Sequence, residues 1–590
     1  MADYTIENIY QGGYSDFSSP TKLSEAGALG MTTDPRTANI VKDASSKIAS
    51  GAKHMELVLV SPQVVDAIPK QQLAEARRLG ELTGVEFSVH GPVIDTTGVD
   101  QRAGFSELNR EASERRIIDT LERSHEISPT GKIPVVFHSG EGIPGSDWKT
   151  LGHGEEERQA QKLIVISRDS GKMIPIEEER KFYPGQKEIV EDIMTPEQGL
   201  KSMNATEWSN SLAQVEFQRE NAERILEDVH PIFQGVFMDI MAGKKDPSTL
   251  NVDEQHQLNK IYSAGEYTHQ ADLSIRGLFD KAYKNCKDEK DKEILSKLSE
   301  NYGKDLGIRK DGKREIKSIS PTVQSSAMIN LLQGLSQLTP ELYVPIEEFA
   351  VEQSSKTFGN AALAAYQKYG DKSPLVTIEN PPAGFGLSTA KDLKDLVVAS
   401  RNHFVEKAVE EGISKKEAEK QSEKLIAATW DLGHINMLRG KGFTEEEIIK
   451  ETETIAPFVN HVHLSDNFGM EHTELPMGMG NVPMKEMMEK LGQKGFEAKK
   501  IIEAGNWWQH FQSSPFQETL EEMGSTMYST GTGPYWSQAP GLHQNYAGGF
   551  GNMLPQTHYG LFGAGFSQLP TELGGSAGAT GGRMSGRGME

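Results

Sequence analysis

Short apolar runs recur along the chain at Ile6–Tyr14, His54–Val60, Val85–His90, Ile133–His138, Leu375–Glu379, Ala427–Asp431, Val459–Leu464 and Lys500–Glu503. Each has the length and β-branched content of a buried strand rather than of a helix. Most are followed by a stretch with apolar residues at i, i+3 and i+4, as in Gln71–Leu82, Arg110–His125, Thr389–Val405, Thr444–Ile455 and Met484–Leu491. That spacing predicts amphipathic helices with one face on a core. Eight β-type runs alternating with helices predict an α/β fold, a (β/α)8 or TIM barrel of parallel strands, with a doubly wound open sheet as the competing solution.

The rhythm breaks twice. More than two hundred residues separate His138 from Leu375, where a barrel needs a few tens. Within that gap, Leu163–Ser167 and Lys172–Glu178 flank Asp169-Ser-Gly and predict a β-hairpin. Long helical patterns follow at Asn210–Gln234, Asp253–Asn285 and Glu289–Tyr302, and a helix near Pro345–Tyr369 rejoins the barrel. Beyond about Gly524 the chain turns Gly-rich with scattered aromatics, a composition that cannot recover its ordering entropy in a regular core. The expected organisation is a first barrel part over 1–149 and a mostly helical insertion with a hairpin over 150–344. A second barrel part over 345–523 and a low-complexity tail over 524–590 complete it. The tail is expected to act as a linker or to strap onto the same or a neighbouring subunit.

Composition narrows the chemistry. Lys and Arg total 62 against 85 Asp and Glu, a net charge of −23 over 590 residues. That balance opposes non-specific coating of nucleic acid, although a local metal-lined groove would still take a phosphate. One cysteine, Cys286, makes neither an internal disulfide nor a thiolate zinc site, so a bound metal must rest on His, Asp and Glu. No run reaches the ~18 apolar residues of a membrane span, and the first residues lack the features of a signal peptide. The expectation is a cytoplasmic protein with no membrane partner.

The position of the polar residues is more informative. The predicted strands end in SVHGP (His90), VVFHSG (His138), VTIENPP (Glu379), TWDLGHIN (Asp431 and His434), HVHLSDN (His463) and IIEAGN (Glu503). A single histidine or acid at a strand end is usually a structural hydrogen-bonding group or the N-cap of the next helix. Repetition over six successive strands, whose C-terminal ends share one rim in a parallel barrel, predicts a common metal site. Imidazoles and carboxylates suit Zn²⁺, with Mn²⁺ or Fe²⁺ as alternatives, and this many ligands implies two or three ions. Clustered cations suit phosphate-ester hydrolysis better than redox chemistry. His461, two residues before His463, shares its side of the strand one layer deeper and is expected to support the site from the core.

These motifs resemble, in order, those of endonuclease IV within the xylose isomerase-like TIM barrels. The match covers roughly 50–145 and 345–515 and rests on HGP, FHSG, IENPPAGFG, DLGH, HLSDN and IIEAG. The resemblance implies a trinuclear, usually zinc, hydrolase that nicks DNA at abasic sites. It implies His90, His138, Glu379, Asp431, His434, His463 and Glu503 as ligands, with Glu379 and Glu503 as bridging and catalytic carboxylates. Where that family has an Asp-x-His pair, alignment on LPxGxG puts His472 and Glu474, the two types exchanged. A tyrosine common after the first motif is Val93 here. The implied substrates are abasic or single-stranded DNA or a small phosphodiester. Two alternatives stand beside this one: a sugar isomerase or epimerase, which needs ligands from the last four strands only, and a metal-binding barrel with a structural or interaction role.

Overall fold

The computed structural model describes residues 29–48, 52–100, 104–140, 142–150, 158–184, 189–308, 319–504, 507–511 and 514–522. Contacts divide the chain into two compact units, one drawn from the segments before Ala160 and after Pro345, the other Ala160–Pro345.

The first unit is a closed barrel of eight parallel strands: β1 (Leu29–Thr32), β2 (His54–Val58), β3 (Glu86–His90), β4 (Pro134–His138), β5 (Leu375–Glu379), β6 (Ile426–Asp431), β7 (Val459–Leu464) and β8 (Lys499–Ile502). Each strand pairs with its sequence neighbours, and β8 closes on β1. The fold is therefore a TIM barrel carrying a long insertion after β4. Seven strands coincide with the predicted runs. The first does not: Ile6–Tyr14 lies outside the described residues, and the barrel closes instead through Leu29–Thr32.

Glycine makes that closure feasible. A Cβ on Gly30 would stand 2.5 Å from Ile501 Cδ1 and 2.7 Å from His54 Cβ, so any side chain here would push β1 off both neighbours. Apolar side chains such as Leu57, Val89, Val135, Ile378 and Val462 are fully buried, as strands covered on both faces require. Helices Lys70–Thr83, Glu107–Ile127, Ile346–Tyr369, Ala390–Glu410 and Glu445–Ile455 fall where the spacing predicted them. Thr444 opens the last with a reciprocal capping box to Glu447. Among the described residues no helix is long and apolar enough to cross a membrane.

The second unit contains the predicted hairpin, with Arg158–Ser167 antiparallel to Met173–Glu177. Its helices Pro196–Glu227, Val252–Asn285 and Pro321–Leu335 share a core around Trp208, Ile275 and Met328. The helix expected over Asn210–Gln234 is two: Pro196–Glu227, and Ile232–Met241 after a break at Pro231. Proline lacks the N–H and crowds the preceding turn, so the chain restarts there. The expected tail, 524–590, lies outside the described residues.

Candidate metal centre at the barrel rim

The closed parallel barrel gathers the strand ends on one rim, and register sets two pairs of the predicted residues side by side. His138 pairs with Glu379 across β4 and β5, and Asp431 with His463 across β6 and β7. Glu503 follows β8, its N–H donating to Leu464 O at the end of β7. Glu379, Asp431 and His463 are fully buried.

Two tight groups of ligand atoms result, His90–His138–Glu379 and Glu379–Asp431–His463–Glu503, and Glu379 belongs to both. Its Oε2 lies 3.3 Å from His90 Nε2 and 3.5 Å from His138 Nε2. Its Oε1 is 2.8 Å from His463 Nδ1, which is also 3.3 Å from Glu503 Oε1. Local bonds fix which ring nitrogens face inward. His90 Nδ1 sits 3.0 Å from Gly91 O and His434 Nδ1 2.8 Å from Asn380 O. A carbonyl only accepts, so each Nδ1 carries a proton and Nε2 is the nitrogen left facing the rim, the one a cation would take in place of a proton.

Asp431 combines two roles. Its Oδ1 accepts from the His434 N–H at 2.7 Å, capping the short helix Leu432–Asn436, and from Ser465 Oγ at 3.0 Å. The Asn380 side chain clasps its backbone, donating to Asp431 O and accepting from Asp431 N–H.

His472 and Glu474 come from a loop that Asp466 holds shut, its carboxylate accepting from the N–H groups of Asn467, Gly478, Gly480 and Val482. That loop puts His472 Nε2 2.9 Å from His434 Nε2, with Glu474 Oε1 3.8 Å from His472. All nine predicted ligands therefore reach the rim, but this last trio is looser than the other two groups.

The electrostatics call for added positive charge. Burial works against a charged His90, yet the Glu379 carboxylate, with Glu503 and Glu56 beyond, outweighs it and raises the ring to about 9. Burial and then the Glu379 charge raise Asp431 to about 6. Burial with Glu503 and Asp431 raises Glu474 to about 8, while burial and then His434 lower His472 to about 4. Neighbouring carboxylates crowd Asp431 and Glu474, whereas against its burial His463, His90 and His138 hold Glu379 well below the usual carboxylate range. Glu379 Oε2 is buried and accepts no hydrogen bond although two imidazoles converge on it. Donor type, convergence and unmet charge all fit divalent cations.

The residues open onto a cleft of ≈ 440 Å³ lined by His90, His138, His434, His472, Glu474 and Glu503 together with Thr32, Thr33, Val58 and Val93. Among its described lining residues there is no Lys or Arg. Trp507 is not among them; it is buried and packs on Phe511 at 4.3 Å between ring centroids.

Sequence reasoning missed Glu56. It lies inside β2, in the apolar run HMELVLV, and is fully buried beside His461 and His463. A charged residue within a strand covered on both faces was the available signal.

No protein-family model matches the chain. An uncharacterized protein of Methanocaldococcus jannaschii is 31% identical over 83 residues, 14% of this chain and 27% of that protein. The chain thus spans about a quarter of the relative it matches. Among solved structures, a D-tagatose 3-epimerase-like protein aligns over 80% of this chain and 89% of its own, with 13% identity and a TM-score of 0.33. Similarity that low leaves the roles of the rim residues to be read from their own geometry.

Proposed function

We propose that the chain is a metal-dependent hydrolase of phosphodiester bonds, working at the barrel rim with two or three divalent cations, zinc first among them. The observation that carries this reading is the sharing of Glu379 between two ligand groups, with His434 and His472 paired beside them. A single-ion enzyme has no use for His90 and His138 as a further cluster. His90, His138 and Glu379 would hold one cation, and Glu379, Asp431, His463 and Glu503 a second. His434, His472 and Glu474 offer the third.

Cations held there would polarise the phosphate and make water acidic enough to attack at neutral pH. The chain's own groups do the rest. Glu379, with no exposure, orients the reacting water from below. Glu503, its side chain 12% exposed at the cleft wall, takes the proton of that water and returns it to the alkoxide oxygen that departs as the P–O bond breaks. With no cationic side chain described in the cleft lining, phosphate charge would be met at the centre itself. This favours a small phosphodiester or a single strand over a duplex held along its backbone.

A second reading has its own observation. Glu379, Asp431, His463 and Glu503, all from the last four strands, form a complete set for one cation. That set, which reaches the cleft of ≈ 440 Å³ through Glu503, suits sugar isomerisation or epimerisation equally well. The test is cleavage of an abasic oligonucleotide and of a small aryl phosphodiester, with and without chelator, beside a panel of ketoses and aldoses. Chelator-sensitive phosphodiester cleavage is expected. Chelator-sensitive sugar interconversion without cleavage would transfer the chain to the second reading.

A further inference from the structure

Beneath the rim, the interior of a parallel barrel is normally filled by layers of branched apolar side chains. One layer here is polar. Glu56 on β2 and His461 on β7 are both fully buried within the strands, below the strand-end ligands. Glu56 Oε1 lies 3.1 Å from His463 Nε2, and Glu56 Oε2 lies 3.3 Å from His461 Nε2. Ser88 Oγ, from β3, donates to Glu56 Oε2 at 2.7 Å. An ionised carboxylate sealed among strands is costly unless its partners need it.

His463 supplies the need. One ring nitrogen, Nδ1, faces Glu379 and Glu503 on the rim side. The other, Nε2, is buried 3.1 Å from Glu56 Oε1, and among the described residues neither atom has any other hydrogen-bonding partner. A ring that gives its Nδ1 lone pair to a cation must carry its proton on Nε2, where Glu56 Oε1 stands to receive it. We infer that Glu56 is a positioning residue for the metal centre: through His463 Nε2–H it fixes the tautomer and tilt of that ligand and makes Nδ1 more basic toward the cation. His461 and Ser88 hold Glu56 by its second oxygen. A separate ion within the Glu56–His461–His463 group is the competing arrangement. It would require His463 to lose both ring protons and would leave a dication facing one carboxylate.

This inference rests on the rim metal centre proposed above, and the experiment separates the two. Wild type, Glu56→Gln and Ser88→Ala are stripped, then titrated with Co²⁺, reading visible absorption, affinity and ions bound per chain. Glu56→Gln keeps the shape but loses the charge. It should bind as many ions at saturation as wild type, with affinity weakened about tenfold to a hundredfold and an altered cobalt spectrum. Ser88→Ala removes only the clamp on Oε2 and should weaken binding less, by several-fold; it carries the test if Glu56→Gln fails to fold. Wild-type protein that binds no cobalt would sink the rim centre itself. Unchanged affinity and spectrum in both variants, beside a wild type that binds, would overturn the role of Glu56 alone. Loss of one whole ion in Glu56→Gln with the remaining affinity intact would overturn it in favour of the deep ion.

Discussion

Gly433 lies between two ligands, Asp431 and His434, and replacing it by alanine perturbs both without touching either. A Cβ there would run into Ser465 Oγ and stand 2.9 Å from Ser465 O and 3.0 Å from Asn467 Nδ2. The hydroxyl could rotate away, but the backbone oxygen cannot, so the short helix Leu432–Asn436 must shift. Overpacking of this kind costs about 1–3 kcal/mol. If Ser465 turns aside, Asp431 also loses the bond at 3.0 Å from Ser465 Oγ, a bond to a charged group worth about 1.5–3 kcal/mol. The two effects share atoms and add incompletely, which puts the total near 2–5 kcal/mol. Gly433→Ala should therefore lower the thermal midpoint of chelated protein by several degrees. Because Asp431 and His434 serve different ligand groups, affinity for both sets of ions should fall as well. Gly235→Ala is the control: nothing lies within 4 Å of its Cβ, and helix propensity makes that change neutral or stabilising by up to ~1 kcal/mol. A Gly433→Ala protein with the midpoint and metal affinity of wild type would refute the packing argument.

Glu379→Gln keeps the volume of the shared carboxylate and removes its charge, so the fold should persist while both tight ligand groups lose affinity together. Elemental analysis after dialysis should find fewer ions per chain, and circular dichroism an unchanged fold; full occupancy would show that the carboxylate is not shared. Lys500 gives a pH test away from the rim: burial lowers its ammonium to about 8, with Nζ donating to Gly495 O and Ala498 O. Its folded pKa lies below its unfolded value, so the unfolded chain binds more protons between about 8 and ~10.5. Stability contributed by this group should rise with pH across that window, by roughly 3 kcal/mol at most, and stay flat below it. Lys500→Met should flatten the rise in urea unfolding measured from pH 7.5 to 10.5, whereas parallel curves would assign the rise to other groups.

Much of the barrel was legible because a parallel strand covered on both faces must read as an apolar run, and a polar residue closing such a run stands out. His90, His138, Glu379, Asp431, His463 and Glu503 were found that way, and closure of the parallel barrel then gathers these strand ends on one rim. Strand β1 was not legible. It is four residues long and built around Gly30, whose value lies in contacts with His54 and Ile501 that no local pattern contains. Glu56 stands inside its apolar run rather than at the end, so the strand-end pattern does not contain it. The meeting of His434 with His472 depends on a loop closed by four backbone N–H groups on Asp466, a bonding pattern set by the folded loop rather than by spacing. The break at Pro231 was legible in principle, since proline marks it, and an apolar periodicity running through His230-Pro231 masked it.

The most direct measurement is the number of divalent ions bound per chain at saturation, by elemental analysis of wild type, Glu379→Gln and His90→Ala together. A centre built on a shared Glu379 predicts two or three ions in wild type, one fewer in His90→Ala, and a loss greater than one in Glu379→Gln. A single ion in wild type, retained in His90→Ala, would contradict the multinuclear centre and leave only the set formed by Glu379, Asp431, His463 and Glu503.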